Sequence, residues 1–256
     1  MISILKKDSF FRLLSGFLPK RSCRPCIWKA CALALLFGFA ACGGEVLLVC
    51  IPGKQNALQI QRDLDIMIGP GKAMAFGRIK DLEARLSASP DAAVIATEAF
   101  FTYVPGYKPF LKGKTGNRTG EKFFVVTASK EVTKDNFQEK RVGVVDFLGH
   151  DRLPRFIKDQ FNVEIKTLKK TNKEEDLLIM IGIEAADAII VSASAYEEIL
   201  SNTKLPLRIV ATSMKNVGFA ECAFKEGKEM AELKNTLLKA PVSFRKEIGI
   251  DSWEIR

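Results

Sequence analysis

Two stretches of the chain, Asp91-Ala-Ala-Val-Ile-Ala-Thr-Glu-Ala-Phe100 and Asp187-Ala-Ile-Ile-Val-Ser-Ala-Ser-Ala-Tyr196, align without a gap at an offset of 96 positions. Each crosses an apolar run of buried-strand character and then passes through small polar residues to an aromatic. In an open α/β sheet such a strand delivers its carboxyl end, and the start of the next helix, to the crevice where ligands bind. Two of them in one chain predict two similar lobes with their strand tips turned toward a shared gap. The bland alternative is that any two strand–helix units share this pattern.

Outward from these stretches the chain alternates between strand-like and helix-like segments. Val46 to Ile51 is an apolar run stopped by Pro52-Gly53, and Asn56 to Ile68 has helical spacing with Asn56 as N-cap. A short strand over Ala73 to Phe76 and a helix from Ile79 to about Ser87 lead into the first repeat. Lys108 to Lys122, basic and glycine-rich, has the composition of a loop or hairpin tip. Strands are expected at Phe123 to Thr127 and Arg141 to Asp146, a helix over Pro154 to Phe161, and an extended segment over Val163 to Leu168. Asn172 with Glu175 has the form of a capping box for a helix to about Ile181. Beyond the second repeat come a helix from Ala195 to Ser201, strands at Leu207 to Ala211 and Gly218 to Phe224, and a helix over Glu229 to Lys239. Phe244 to Arg256 carries no clear pattern. This alternation predicts an α/β fold, with parallel strands covered by helices on both faces.

The amino-terminal segment has a different grammar. Basic residues precede an apolar run of about 12 residues from Ala30 to Ala41, too short for the ~20 residues of a membrane span. Small residues then flank Cys42, the pattern of an export signal. Residues 39–42 resemble the lipobox of bacterial lipoproteins, with Phe39 where that motif usually carries an aliphatic residue. The resemblance implies a signal peptide over 1–42, lipidation of Cys42 and a lipid-anchored, extracytoplasmic protein. Ordinary cleavage or a signal anchor are the alternatives.

The net charge of +9 sits mostly in this leader. Seven basic residues through Cys42 (Lys6, Lys7, Arg12, Lys20, Arg21, Arg24, Lys29) stand against Asp8, leaving 32 basic and 29 acidic residues in the body. A body at +3 gives little long-range attraction for a polyanion, so no nucleic-acid partner is expected. Cys23 and Cys26 form a CxxC without the second pair that a zinc site needs. Cys50 and Cys222 are the cysteines of the body beyond Cys42; they could pair in an oxidising compartment or lie buried as separate thiols. His150 is the only histidine, which excludes a multi-histidine metal site, and no P-loop, GxGxxG, GxSxG or HExxH occurs. Neither metal nor cofactor is expected.

The order of elements then resembles the type 2 periplasmic binding proteins, with Phe123-Phe-Val-Val-Thr-Ala-Ser-Lys130 leaving one lobe and Leu207-Arg-Ile-Val-Ala-Thr-Ser213 returning to it. Lys140-Arg-Val-Gly-Val-Val-Asp-Phe-Leu-Gly-His-Asp-Arg152 is similar to the second-lobe opening of the phosphate and phosphonate branch of ABC-transporter binding proteins. The resemblance covers roughly Glu45 to Lys239. It implies lobe one over 43–128 and 212–256, lobe two over 129–211, and hinge crossings near Thr127 to Ser129 and Ala211 to Ser213. It further implies a small solute, such as phosphate or phosphonate, and an ABC permease as partners. Solute contacts are expected from Thr97 and Glu98 in lobe one, Ser192 and Ser194 in lobe two, and Ser129 at a crossing. Gly149, His150 and Arg152 form a candidate anion loop, Gly149 by close backbone approach and Arg152 by a bidentate contact. Arg152 could equally solvate a helix surface, and His150 could be a surface or capping residue. Three functions follow as expectations: a solute-binding protein without enzymatic activity, a sensor or adaptor on a degenerate binding-protein fold, or an enzyme on the same fold.

Overall fold

The computed structural model describes residues 47–53, 56–225 and 231–256. The expected leader over 1–42, with Cys42 and the Cys23 and Cys26 pair, lies outside the described residues. Strand β1 (Leu47–Val49), helix α1 (Ala57–Met67), β2 (Ala73–Ala75), α2 (Ile79–Ala88), β3 (Ala93–Thr97) and α3 (Glu98–Tyr103) open the first lobe. Strand β4 (Tyr107–Lys114) and the two-residue β5 (Gly120–Glu121) follow. The second lobe runs β6 (Phe123–Thr127), β7 (Arg141–Val145), α4 (Arg152–Phe161), β8 (Thr167–Thr171), α5 (Glu174–Gly182), β9 (Ala188–Ser192), α6 (Ala193–Asn202) and β10 (Arg208–Thr212). The chain returns through β11 (Val217–Gly218) to β12 (Ala220–Lys225), α7 (Ala231–Leu238), α8 (Val242–Glu247) and β13 (Ser252–Ile255).

These strands form two sheets, β13-β4-β12-β3-β1-β2 and β10-β6-β9-β7-β8, joined by the antiparallel ribbon β5–β11. Both sheets share one plan. A first parallel strand lies between the second and the third, and an antiparallel strand closes beside the third: β12 beside β3, β6 beside β9. The repeated stretches of sequence therefore supply equivalent strands. In strand and helix bounds the offset is 95 rather than 96, so Thr97 matches Ser192 and each caps the helix that follows.

Parallel strands buried on both faces need unbroken apolar runs, and β1, β3 and β9 supply them. One face of each sheet meets in a shared core, where Leu48, Val94 and Phe100 of the first lobe join Val144, Leu148 and Phe156 of the second. Such side chains contribute about 2 kcal/mol each when buried. Outer cores lie under α1, α7 and α8 on the first sheet and under α5 and α6 on the second. The expected cap of α1 is present, Asn56 Oδ1 accepting the Leu58 N–H at 3.1 Å. Asn162 closes α4 in the left-handed region at φ 56°.

Several expectations shift. The crossings lie at β5 and β11, so Phe123–Thr127 belongs to the second sheet rather than to lobe one. Val125 and Val126 bury opposite faces of that strand, which fits a place beside β9 in the middle of the sheet. The basic segment after Lys108 contains the eight-residue β4, whose Gly113 is obligatory: a Cβ there would lie 2.6 Å from the Ala220 carbonyl and 2.5 Å from Ile250. The extended segment after Val163 pairs only from Thr167. Asn172 does not cap α5; Thr171 Oγ1 accepts the Lys173 N–H at 3.4 Å and donates to Asp176 at 2.5 Å. The unpatterned tail forms α8 and β13. Cys50 and Cys222 are both free, on opposite faces of the first sheet. Burial pushes the Cys50 thiol up to about 12 and raises Cys222 as well.

Candidate functional site

A cleft of about 260 Å³ opens where the strand tips of the two sheets approach each other beside the ribbon. Its walls are largely apolar: Ile51 after β1, Phe123 at the start of β6, Val144 and Phe147 around the end of β7, Ile190 on β9, and Phe219 beside the ribbon. Polar groups enter at a few points, which is how a small-molecule site combines affinity with orientation.

Ser192 ends β9 and caps α6, its Oγ accepting the Ala195 N–H at 3.2 Å and lying 3.1 Å from Ser194 Oγ. Ser194 donates twice to one carboxylate: its N–H to Glu121 Oε2 at 2.8 Å and its hydroxyl to Glu121 Oε1 at 3.0 Å. Glu121 reaches this point from β5. Across the cleft, Thr97 ends β3 and caps α3, accepting the Phe100 N–H at 3.4 Å. Thr115, Arg118 and Glu174 complete the polar lining. The Arg118 side chain is exposed and has no ion-pair partner among the described residues.

Of the residues expected to hold solute, Thr97, Ser192 and Ser194 come together in this cleft. The others do not. Glu98 turns toward the ribbon, accepting the Gly218 N–H at 2.5 Å and standing 3.3 Å from Lys112 Nζ, beside a separate polar recess. Ser129 lies at the far end of the second sheet. Strand β6 runs antiparallel to β9, so Phe123 sits beside Ser192 at the tips while the chain leaves Thr127 at the opposite end.

The loop from Gly149 to Arg152 is likewise no part of the cleft lining. Leu148 is fully buried in the shared core, which draws the loop against α2 of the first lobe. Gly149, at φ 83°, donates its N–H to Asp146 Oδ1 at 2.8 Å. His150 meets Lys170 Nζ at 3.0 Å through both its carbonyl and Nδ1. Arg152 donates to the Leu148 carbonyl at 2.7 Å and pairs with Glu83 of α2. Of the donors expected to meet an anion, Gly149 and His150 bond within the second lobe and Arg152 bridges to the first. Tyr103 adds to this seam between the lobes: its ring lies 6.4 Å from that of Phe156, and its hydroxyl is 2.5 Å from Asp159. Burial and the Asp159 charge push the Tyr103 phenol up, keeping it a donor.

Sequence reasoning missed Arg118 and Glu121, which fall in the basic segment expected to be a loop or hairpin tip. Two-residue strands carry no periodicity. The available signal was the charged Gly-Glu-Lys run immediately before a strand.

This architecture is the two-lobed fold of type 2 periplasmic binding proteins. No family model and no curated protein matches the sequence. Among solved structures, the chain is similar to a Xanthomonas citri protein bound to ATP, with a TM-score of 0.62 and 10% identity over 83% of this chain and 91% of that one. The same protein bound to chloride gives a TM-score of 0.55 over the same shares. A binding-protein component of an ABC phosphonate transporter from Pseudomonas aeruginosa gives 0.59, with 12% identity over 83% of this chain and 82% of that one.

Proposed function

We propose that the protein binds, and does not transform, a small organic solute with one anionic group, a carboxylate or a phosphonate, in the cleft between its lobes. The observation that carries this reading is the convergence of the Ser194 N–H and hydroxyl on a carboxylate at the cleft wall, at the start of α6. A group of that chemistry already fits the seat, and the helix start favours its charge. Arg118 supplies a cationic contact from the hairpin loop. The apolar walls suit the organic remainder of the solute, whereas free phosphate would leave most of its oxygens facing hydrocarbon. The neighbours named for a phosphonate transporter and for bound ATP are associated with anionic ligands, in keeping with this class. The leader pattern extends the proposal to an exported protein lipidated at Cys42 that delivers solute to an ABC permease.

The test is a thermal-shift titration with methylphosphonate, acetate, glycine and inorganic phosphate. A binder shifts its unfolding midpoint saturably, following RT ln(1 + [L]/Kd). Ser194→Ala and Arg118→Ala should each weaken the response to methylphosphonate about tenfold, the usual value of a charge-assisted contact. A second reading, a sensor or adaptor for a membrane partner, draws on the continuous core that joins the lobes. It is favoured if none of these solutes shifts the midpoint.

A further inference from the structure

Glu121 belongs to the ribbon that links the lobes, opposite Val217 of β11. Its carboxylate leaves the ribbon and takes both donors of Ser194. It also lines the same cleft as Glu174. One N–H and one hydroxyl cannot serve two anions at once, and like charges brought within a few ångströms repel. A solute anion arriving at Ser194 must therefore expel the carboxylate already there.

The ribbon does not depend on this contact for its position. Glu98 grips β11 through the Gly218 N–H. Lys122, the next residue along from Glu121, anchors the neighbouring crossing through the carbonyls of Ser213 at 3.1 Å and Met214 at 2.7 Å. Gly120 packs so closely that a Cβ there would stand 2.6 Å from the Val217 carbonyl. The backbone is held from several sides, so the Glu121 side chain can leave Ser194 without undoing the ribbon.

We propose that Glu121 is a built-in stand-in for the anionic group of the solute: it holds Ser194 until the solute displaces it, while the ribbon backbone stays in place. This inference rests on the cleft being the solute site. It gives that site a threshold, since weak anions fail to dislodge the carboxylate.

The test uses the full chain with Glu121→Ala and the near-isosteric Glu121→Gln, probed with acetate and methylphosphonate by thermal shift and calorimetry. Acetate should refill the place left in Glu121→Ala, giving a saturable midpoint shift absent from the wild type. Methylphosphonate should bind Glu121→Ala about tenfold more tightly than the wild type, with Glu121→Gln in between. Unchanged or weaker methylphosphonate binding in both variants, or no response to either probe, overturns the inference and leaves Glu121 as a structural clamp. Ser194→Ala separates the two claims. If it binds methylphosphonate as the wild type does, the cleft reading fails. If it loses binding while Glu121→Ala gains none, only the displacement fails.

Discussion

The two lobes meet along two fronts of opposite character. One is the cleft at the strand tips, where apolar walls surround a few hydroxyls, a guanidinium and carboxylates. The other is the seam, where Leu148 is buried in a common core, Arg152 pairs with Glu83, and Tyr103 reaches Asp159. The turns after the equivalent strands β3 and β9 line the cleft, whereas the turn after β7 gives Phe147 to the cleft and Leu148 and Arg152 to the seam. Fully buried Leu148 draws its turn into the shared core, whereas Thr97 and Ser192 stay at their strand ends and cap the helices that follow. One turn thus serves both fronts, through side chains that follow one another in sequence.

The largest effect is expected at the seam. Leu148→Ala removes a fully buried side chain from a core shared by both sheets, at a cost of about 3 kcal/mol. Urea unfolding followed by fluorescence and by circular dichroism should move to lower denaturant with coincident transitions; a loss confined to one lobe would split them. In the first sheet, Gly113→Ala forces a methyl against the Ala220 carbonyl and Ile250, and should cost about 2 kcal/mol in the same measurement. Glu83→Gln breaks the seam's partly exposed ion pair and should lower stability by less than about 1 kcal/mol. Because Glu83 is not among the residues lining the cleft, methylphosphonate affinity should stay as in the wild type.

The smallest effect is a change of pH slope behind both fronts. Glu221 on β12 is 1% exposed, with Arg256 at 3.6 Å, Lys112 at 3.8 Å and one buried oxygen lacking a hydrogen bond. Burial, and then the charge of Glu98, push its pKa up against the pull of those two cations. A carboxyl with a raised folded pKa holds its proton more tightly when folded. Its stabilising contribution is complete below the unfolded value, about 4.3, and is lost as pH rises through the folded one. Glu221→Gln should therefore raise the urea midpoint at neutral pH and flatten its fall as pH rises above about 4.3, with both curves converging in acid.

Much of this was legible locally. The repeated stretch identified β3 and β9 as the matching strands, because a doubly buried parallel strand needs an apolar run wherever it occurs. Thr97, Ser192 and Ser194 followed from their place at strand ends, and Asn56 from the short-range geometry of a cap. The rest depended on partners distant in sequence. Arg152 pointed to an anion because nothing near it reveals that Glu83 neutralises it. Ser129 was misplaced because the direction of β6 is decided by its pairing with β9, not by its own residues. Arg118 and Glu121 escaped notice because a two-residue ribbon has no pattern to detect. Strand β4 was hidden by lysines, which alternate along an antiparallel strand without marking it as buried.

The central claim is the location of the solute, and amide chemical-shift mapping during a methylphosphonate titration tests it most directly. The account predicts saturable shifts concentrated at Thr97, Arg118, Glu121 and Ser192 to Ala195, with Gly149 to Arg152 unmoved. Shifts centred on Gly149 to Arg152, with the strand tips silent, would contradict it.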